Sequence, residues 1–139
     1  MKNNLNLDAI NAIAKNTLLE TLDIKFIEVT ENKVVATMPV TPKVHQPDGV
    51  LHGGASVALA ETVGSYASVL SLKTKTHMVR GIEISANHVK SISEGMVTAT
   101  AIPIHKGRTT QLWEIKITNE KEQLISLCKL TTIILEKGK

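Results

Sequence analysis

Residues 51–70 read LHGGASVALAETVGSYASVL, and this stretch decides the fold. Two adjacent glycines open it, and a run of apolar and small residues follows with one acid, Glu61, at its centre. The pattern predicts a helix from about residue 53 to residue 72. Because that helix lacks a polar face, it must be covered by a sheet or by a second subunit, and we expect both.

Glu61 is the first candidate functional residue. Burying a carboxylate in an apolar helix costs several kcal/mol unless the group is paired or used. The alternative is a structural acid that pairs with a buried base or backbone group. Gly53 and Gly54 leave backbone N–H groups open at the positive end of the helix. An acid and an open amide pocket on one helix point to attack on a carbonyl group.

The segments around this helix indicate the architecture. Residues 8–22 carry apolar residues near helical spacing, with Asp8 placed as the cap. The other segments alternate as strands between polar or Gly/Pro turns. We expect a hairpin before the helix and a four-stranded meander after it, hence an α+β fold with an antiparallel sheet wrapped around the long central helix. The predicted strands are residues 24–30, 33–40, 78–89, 96–104, 110–118 and 124–135.

Length and composition narrow the function. A chain of 139 residues is sized for a single domain over residues 1–139. Three aromatic residues are too few for a nucleic-acid surface built from stacking rings. The net charge of +3 is compatible with a phosphate-bearing ligand but not with a dense basic stripe. We therefore expect no nucleic-acid partner.

Cysteine and hydropathy patterns predict a cytoplasmic protein. Cys128 is the only cysteine, so no intramolecular disulfide can form, which favours a reducing compartment. Residues 1–8 have no apolar run like a signal-peptide core. Glu61 interrupts the longest candidate for a membrane span, so no membrane association is expected.

No metal or other cofactor is expected. The chain has no cysteine pair, and the histidines fit no compact ligand spacing. These histidines are His45, His52, His88 and His105.

The predicted order of hairpin, long helix and four strands, together with His-Gly-Gly at 52–54, resembles the hotdog-fold acyl-CoA thioesterases over nearly the whole chain. It is most similar to the subgroup with a catalytic glutamate on the central helix, eight residues after the first glycine. Within it, the chain resembles the 1,4-dihydroxy-2-naphthoyl-CoA hydrolases and broad-range relatives acting on benzoyl-CoA and fatty acyl-CoA. The segments that carry this resemblance are HQP at 45–47, LHGGAS at 51–56, AE at 60–61, ANHVK at 86–90 and LTT at 130–132.

The resemblance implies thioester hydrolysis and a role for each site residue. Glu61 acts as general base for water or as a nucleophile that forms a mixed anhydride, and both remain open. The Gly53 N–H is the oxyanion donor. Ser65 holds the water or orients the carboxylate, while Gln46 and His52 line the thioester.

The resemblance also implies a binding surface for coenzyme A, which is part of the substrate. Lys90 stands where the family usually has arginine, so the charge is kept but the bidentate contact is lost. The predicted CoA-binding residues are Lys90, His88, Arg108, Thr109, Thr110 and Lys137.

The spacing of Gly53 and Glu61 predicts an oligomer. Eight helical residues span about 12 Å, too far for both groups to reach one carbonyl from a single helix. Two antiparallel helices in a homodimer would bring Gly53 of one subunit to Glu61 of the other, and the monomer should be inactive. The resemblance implies that dimers pair further into a homotetramer.

Two other functions are alternatives to hydrolysis. A hotdog acyl-thioester dehydratase needs a histidine with an acid for α-proton removal, and the central helix contains no histidine. A non-catalytic acyl-CoA-binding module needs an output surface for which 139 residues leave little room. The sequence leaves the acyl group open between aromatic and aliphatic, and the resemblance makes menaquinone biosynthesis one candidate pathway.

Overall fold

A computed structural model of the chain describes residues 6–138. Residues 1–5, on which the prediction about a signal peptide partly depends, lie outside the described residues. Among residues 6–138, no helix is long and apolar enough to cross a membrane. The helices are α1 (Leu7–Ala12), α2 (Leu18–Thr21) and α3 (Gly53–Leu70), and a 3-10 turn spans Pro42–Val44. The strands are β1 (Lys25–Thr30), β2 (Lys33–Val40), β3 (His77–His88), β4 (Gly95–Lys106), β5 (Thr110–Thr118) and β6 (Leu124–Glu136).

The six strands form one antiparallel sheet in the order β1-β2-β4-β5-β6-β3, which packs against α3. The α+β prediction is confirmed. The predicted four-stranded meander is wrong, because β3 pairs with β6 and β4 pairs with β2. After β3, at the edge, the chain crosses over β6 and β5 to β4 in the interior of the sheet, and the Ile92 carbonyl accepts a hydrogen bond of 2.8 Å from the Leu51 N–H. That bond attaches the crossing segment to the loop before α3.

The N-terminal helix is divided in two, whereas the sequence analysis predicted one helix over residues 8–22. The first helix ends at Ala12 and a turn follows over residues 13–16, where Asn16 adopts a left-handed φ of 62° that separates the two helices. The Thr17 hydroxyl then caps α2 by accepting from the Leu19 N–H at 3.2 Å. The predicted cap of α1 is also wrong by two residues, since Asn6, and not Asp8, accepts the first free N–H groups.

The face of α3 that meets the sheet is built from small side chains. Gly64 has a wall of Leu130 and Ile115 above it, so close that a Cβ at Gly64 would lie 2.7 Å from Leu130 Cδ2. Short side chains let the helix axis approach the sheet closely. The buried residues of this face follow helical spacing: Ser56, Leu59, Ala60, Val63, Gly64, Ala67 and Ser68.

A buried hydrogen-bond network fixes the C-terminal half of α3 on the sheet. The Gln111 carbonyl oxygen accepts from the Trp113 indole N–H at 3.1 Å and from the Ser68 hydroxyl at 2.7 Å. The Gln111 amide donates to the Ser71 oxygen at 2.7 Å. Because the Ser68 hydroxyl donates its one proton to Gln111, Thr132 must be the donor in the hydrogen bond of 2.8 Å between the Ser68 and Thr132 hydroxyls. Every direction in the network is therefore determined.

We expect Gly64→Ala to destabilise the protein by about 1 kcal/mol. Overpacking costs about 1–3 kcal/mol, and alanine recovers about 1 kcal/mol of helix propensity. Adding Leu130→Val removes the Cδ atoms that clash, so the cost of Gly64→Ala should be smaller in that background. Urea unfolding of the four proteins measures both effects. Stabilisation by Gly64→Ala alone would contradict the close approach.

Candidate active site

The start of α3 presents a free amide. His52 has extended backbone angles (φ −66°, ψ 130°) and caps the helix, its Nδ1 accepting from the Gly54 N–H at 2.8 Å. Among residues 6–138, no group accepts a hydrogen bond from the Gly53 N–H. This donor therefore lies at the positive end of an 18-residue helix, ready for an anionic oxygen.

A cavity of about 240 Å³ opens in front of this amide. Beside Gly53, its lining includes Gln46, Ser56, His88 and Lys90. The His88 ring lies against Gly53, since a Cβ there would be 2.8 Å from His88 Nε2. Glycine therefore keeps the ring and the free amide side by side.

His88 is fixed from behind by the sheet. Its Nδ1 lies 2.9 Å from the hydroxyl oxygen of Ser126, its cross-strand neighbour on β6. Ser126 is fully buried, so this pair holds the ring in one orientation with Nε2 towards the cavity.

Glu61 lines a second, apolar cavity of about 400 Å³ on the outer side of α3. Among residues 6–138 its carboxylate has no ion-pair or hydrogen-bond partner. The carboxylate lies over Gly81 of β3, where a Cβ would be 2.8 Å from Glu61 Oε1. The sequence predicted a buried acid, but the side chain is only half-buried, because one chain leaves the outer side of α3 open.

Ser65 and Tyr66 share this second cavity with Glu61. Ser65 follows one helical turn after Glu61, as expected for two residues on one face. The Tyr66 ring packs on Phe26 of β1 with centroids 4.9 Å apart and planes tilted by 44°. Burial raises the pKa of the Tyr66 phenol, which keeps the ring neutral.

The structure divides the predicted site residues into groups. Gln46, Gly53, His88 and Lys90 meet at the first cavity, and Glu61 and Ser65 meet at the second. His52 caps α3 between them without lining either cavity. The two cavities share no residue. A single chain therefore does not bring the free amide and the carboxylate to one point.

The remaining predicted CoA residues lie at the other end of the β3–β6 pair. The Thr109 carbonyl accepts from the Ile134 N–H, and the Lys137 N–H donates to Thr76, both at 2.8 Å. His88 lies at the opposite end, paired with Ser126. The residues that line neither cavity are Arg108, Thr109, Thr110 and Lys137.

Sequence reasoning missed several residues that shape the two cavities. Ser56 is a buried hydroxyl beside Gly53, and Ser126 orients His88. Gly81 leaves room for the Glu61 carboxylate. Of these residues, only Ser56 could have been identified from the sequence, because it is a polar residue three positions after Gly53 on the same predicted helix. Within the described part of the chain, no three His, Cys, Asp or Glu side chains cluster as metal ligands would.

Among residues 6–138, the structure combines an antiparallel sheet around one long helix with an unpaired acid at mid-helix and a free amide at the start of the helix. A family model described as the thioesterase superfamily matches residues 48–126. The chain is 43% identical over 134 residues to the 1,4-dihydroxy-2-naphthoyl-CoA hydrolase of Escherichia coli, covering 96% of this chain and 98% of that protein. It is 42% identical over 134 residues to the proofreading thioesterase EntH of Cronobacter turicensis, covering 96% and 97%.

The crystal structure of a thioesterase from Haemophilus influenzae superposes with a TM-score of 0.93 at 40% identity, over 99% of this chain and 96% of that one. The chain therefore belongs to the thioesterase superfamily and has the hotdog fold. It is a hydrolase of the thioesterase class, which confirms the enzyme prediction.

We expect Cys128 to be inert in the folded protein. Its side chain is fully buried, and burial raises the pKa of the thiol, so little thiolate forms at pH 8. Iodoacetamide should alkylate native protein at least about 100-fold more slowly than urea-unfolded protein, because attack must wait for local opening. Intact-mass spectrometry over time measures both rates. Equal rates would show that the thiol is accessible in the folded chain.

Proposed function

We propose that this thioesterase hydrolyses acyl-CoA thioesters at a site shared by two copies of the chain. The observation that carries the proposal is that one helix holds two groups without hydrogen-bond partners among residues 6–138, the Gly53 amide and the Glu61 carboxylate, and that these groups line separate cavities. The name of the Escherichia coli relative, a hydrolase of a CoA thioester, supports the substrate class. The acyl group is aromatic or fatty.

Glu61 supplies the attack. As a general base it takes a proton from water while the water oxygen bonds to the thioester carbon. The carbon–sulfur bond then breaks, and the leaving thiolate receives that proton. As a nucleophile, the carboxylate instead attacks the thioester carbon and expels the CoA thiolate; water then cleaves the resulting mixed anhydride to the free acid and the Glu61 carboxylate. Ser65, one turn away in the same cavity, is placed to hold the water or to orient the carboxylate.

Gly53 supplies the oxyanion donor. Charge develops on the carbonyl oxygen as the tetrahedral centre forms, and a fixed N–H at a helix N-terminus stabilises it without reorganisation. Gln46 and His88 line the same cavity and hold the thioester from its sides. His52 contributes by fixing the first turn through its bond to Gly54.

The β3 edge supports a shared site. β3 ends the sheet, with β6 as its strand neighbour among the described residues. If β3 pairs antiparallel with its own copy about Ser85, Glu83 faces the partner's Asn87. The bulge between Gly81 and Glu83 then puts Gly81 next to the partner's His88. Gly81 lies under Glu61, and His88 lies against Gly53, so that register brings the carboxylate of one copy towards the amide of the other.

The same pairing unites the two groups of CoA residues. It brings the His77 end of one β3, near Lys137 and Thr109, to the His88 end of the other, near Lys90. The resulting surface has cations from both copies for the CoA phosphates. Association of dimers into a homotetramer stays a prediction from the resemblance.

We expect Glu61→Gln to lower kcat about 100- to 10,000-fold, because the amide cannot accept the proton of water. The melting temperature should change little, since the carboxylate has no partner to lose among residues 6–138. A free-thiol assay with benzoyl-CoA and decanoyl-CoA measures turnover. The matched control is Glu31→Gln, an exposed acid outside both cavities, which should keep full activity. Full activity of Glu61→Gln would reject its role.

Mixing two inactive variants tests the shared site. Gly53→Pro removes the N–H at the first helical position, where proline is tolerated and the extended angles of His52 permit it. Gly53→Ala also adds a Cβ but keeps the donor, and is the control. Dimers of one Glu61→Gln and one Gly53→Pro subunit contain one intact site. After subunit exchange at equal amounts, activity should reach about a quarter of the wild-type value. No recovery after confirmed exchange would place both groups within one chain.

A further inference from the structure

The second cavity is a groove that continues well beyond the carboxylate. Glu61, Ser65 and Val69 line it at successive turns of one helix face, so it follows α3 for about 12 Å. Its outer side is formed by Ile13 and Leu18, from the end of α1 and the start of α2. The groove therefore runs along the helix, with Glu61 near one end and Val69 at the other.

The side chains of this groove are unusually exposed for their type. Ile13 is 53% exposed, Leu18 57% and Val69 45%, and all three face the same space. A concentration of large aliphatic side chains around one open groove marks a binding site for an apolar group. The carboxylate at its end indicates which apolar group this is, because the groove begins where a thioester would be cleaved.

The outer wall is held in place and is not a loose flap. The Asn11 amide donates to the Phe26 carbonyl at 3.0 Å, and its oxygen accepts from the Phe26 N–H at 2.8 Å. The Phe26 ring in turn packs on Tyr66 of α3. The distance between wall and helix is therefore set by one side-chain clamp and one ring pair.

We propose that the α1–α2 segment is the outer wall of the acyl subsite and that Ile13 and Leu18 select a long aliphatic acyl group. This inference rests on the proposed function. A groove of about 12 Å holds an extended chain of about nine carbons, given carbon–carbon bonds of about 1.5 Å. A benzoyl ring is shorter and leaves the end at Val69 unfilled. Contacts in the half of the groove near Val69 should therefore raise kcat/KM as the acyl chain becomes longer.

The test compares kcat/KM for acetyl-, hexanoyl-, decanoyl- and benzoyl-CoA in the wild-type protein, Leu18→Ser and Ile13→Ser. In the wild type, kcat/KM should rise by up to about fourfold for each methylene that the groove buries. Each variant should lower kcat/KM for decanoyl-CoA about tenfold and change that for acetyl-CoA less than twofold. Both side chains are more than half exposed, so folding should be unaffected. The control is Ile104→Ser, which is 50% exposed on β4, lines neither cavity and should keep the wild-type ratios.

Three results would overturn the inference. The first is an unchanged decanoyl-to-acetyl ratio in both groove variants, and the second is an equal change in Ile104→Ser. The third is a weaker dimer in sedimentation velocity for the groove variants, which would show that the partner subunit occupies the groove. In all three, wild-type hydrolysis that depends on Glu61 leaves the proposed function standing. If the wild type cleaves none of the four thioesters, both proposals fail together.

Discussion

The close contact between α3 and the sheet is the constraint on which the rest of the structure depends. Gly64 meets Leu130 and Ile115 with no room for another carbon, and the Gln111 network locks the helix against rotation. Because Gly53 and Glu61 lie on the same helix, the packing of α3 also decides where these two proposed catalytic groups point. The proposed site is therefore positioned by a contact made on the opposite side of the helix.

Elements with a strong local pattern were predictable. The sequence placed α3 within two residues of its observed end, and each of the six strands was found, because apolar periods of 3.6 and 2 are local properties. Strand pairing was not predictable in the same way. The alternation of apolar and polar residues in β3 is compatible with pairing to either β4 or β6. Which strand β3 pairs with depends on the path of the crossing segment at Ile92. The break at Asn16 was missed because apolar spacing continues across it.

The site shows the same division. Glu61 stood out because an acid is unusual among apolar helix residues, whether it is buried or exposed. Gly53 stood out because it leaves a free amide at the start of a helix. Ser126 and Gly81 act only through neighbours on other strands, so one sequence could not reveal them. The partial exposure of Glu61 has a physical cause, since a six-stranded sheet covers only one side of its helix.

The Asn11 clamp has a consequence for assembly in crowded solution. A sheet with two bare edges can grow into a ribbon by adding copy after copy. Here one edge is β1. The Asn11 side-chain amide hydrogen-bonds both the N–H and the carbonyl of Phe26, as an incoming strand would, and β1 has a bulge just after that residue. Among the described residues β3 is the edge left open, so growth across the sheet would end if two β3 edges paired with each other.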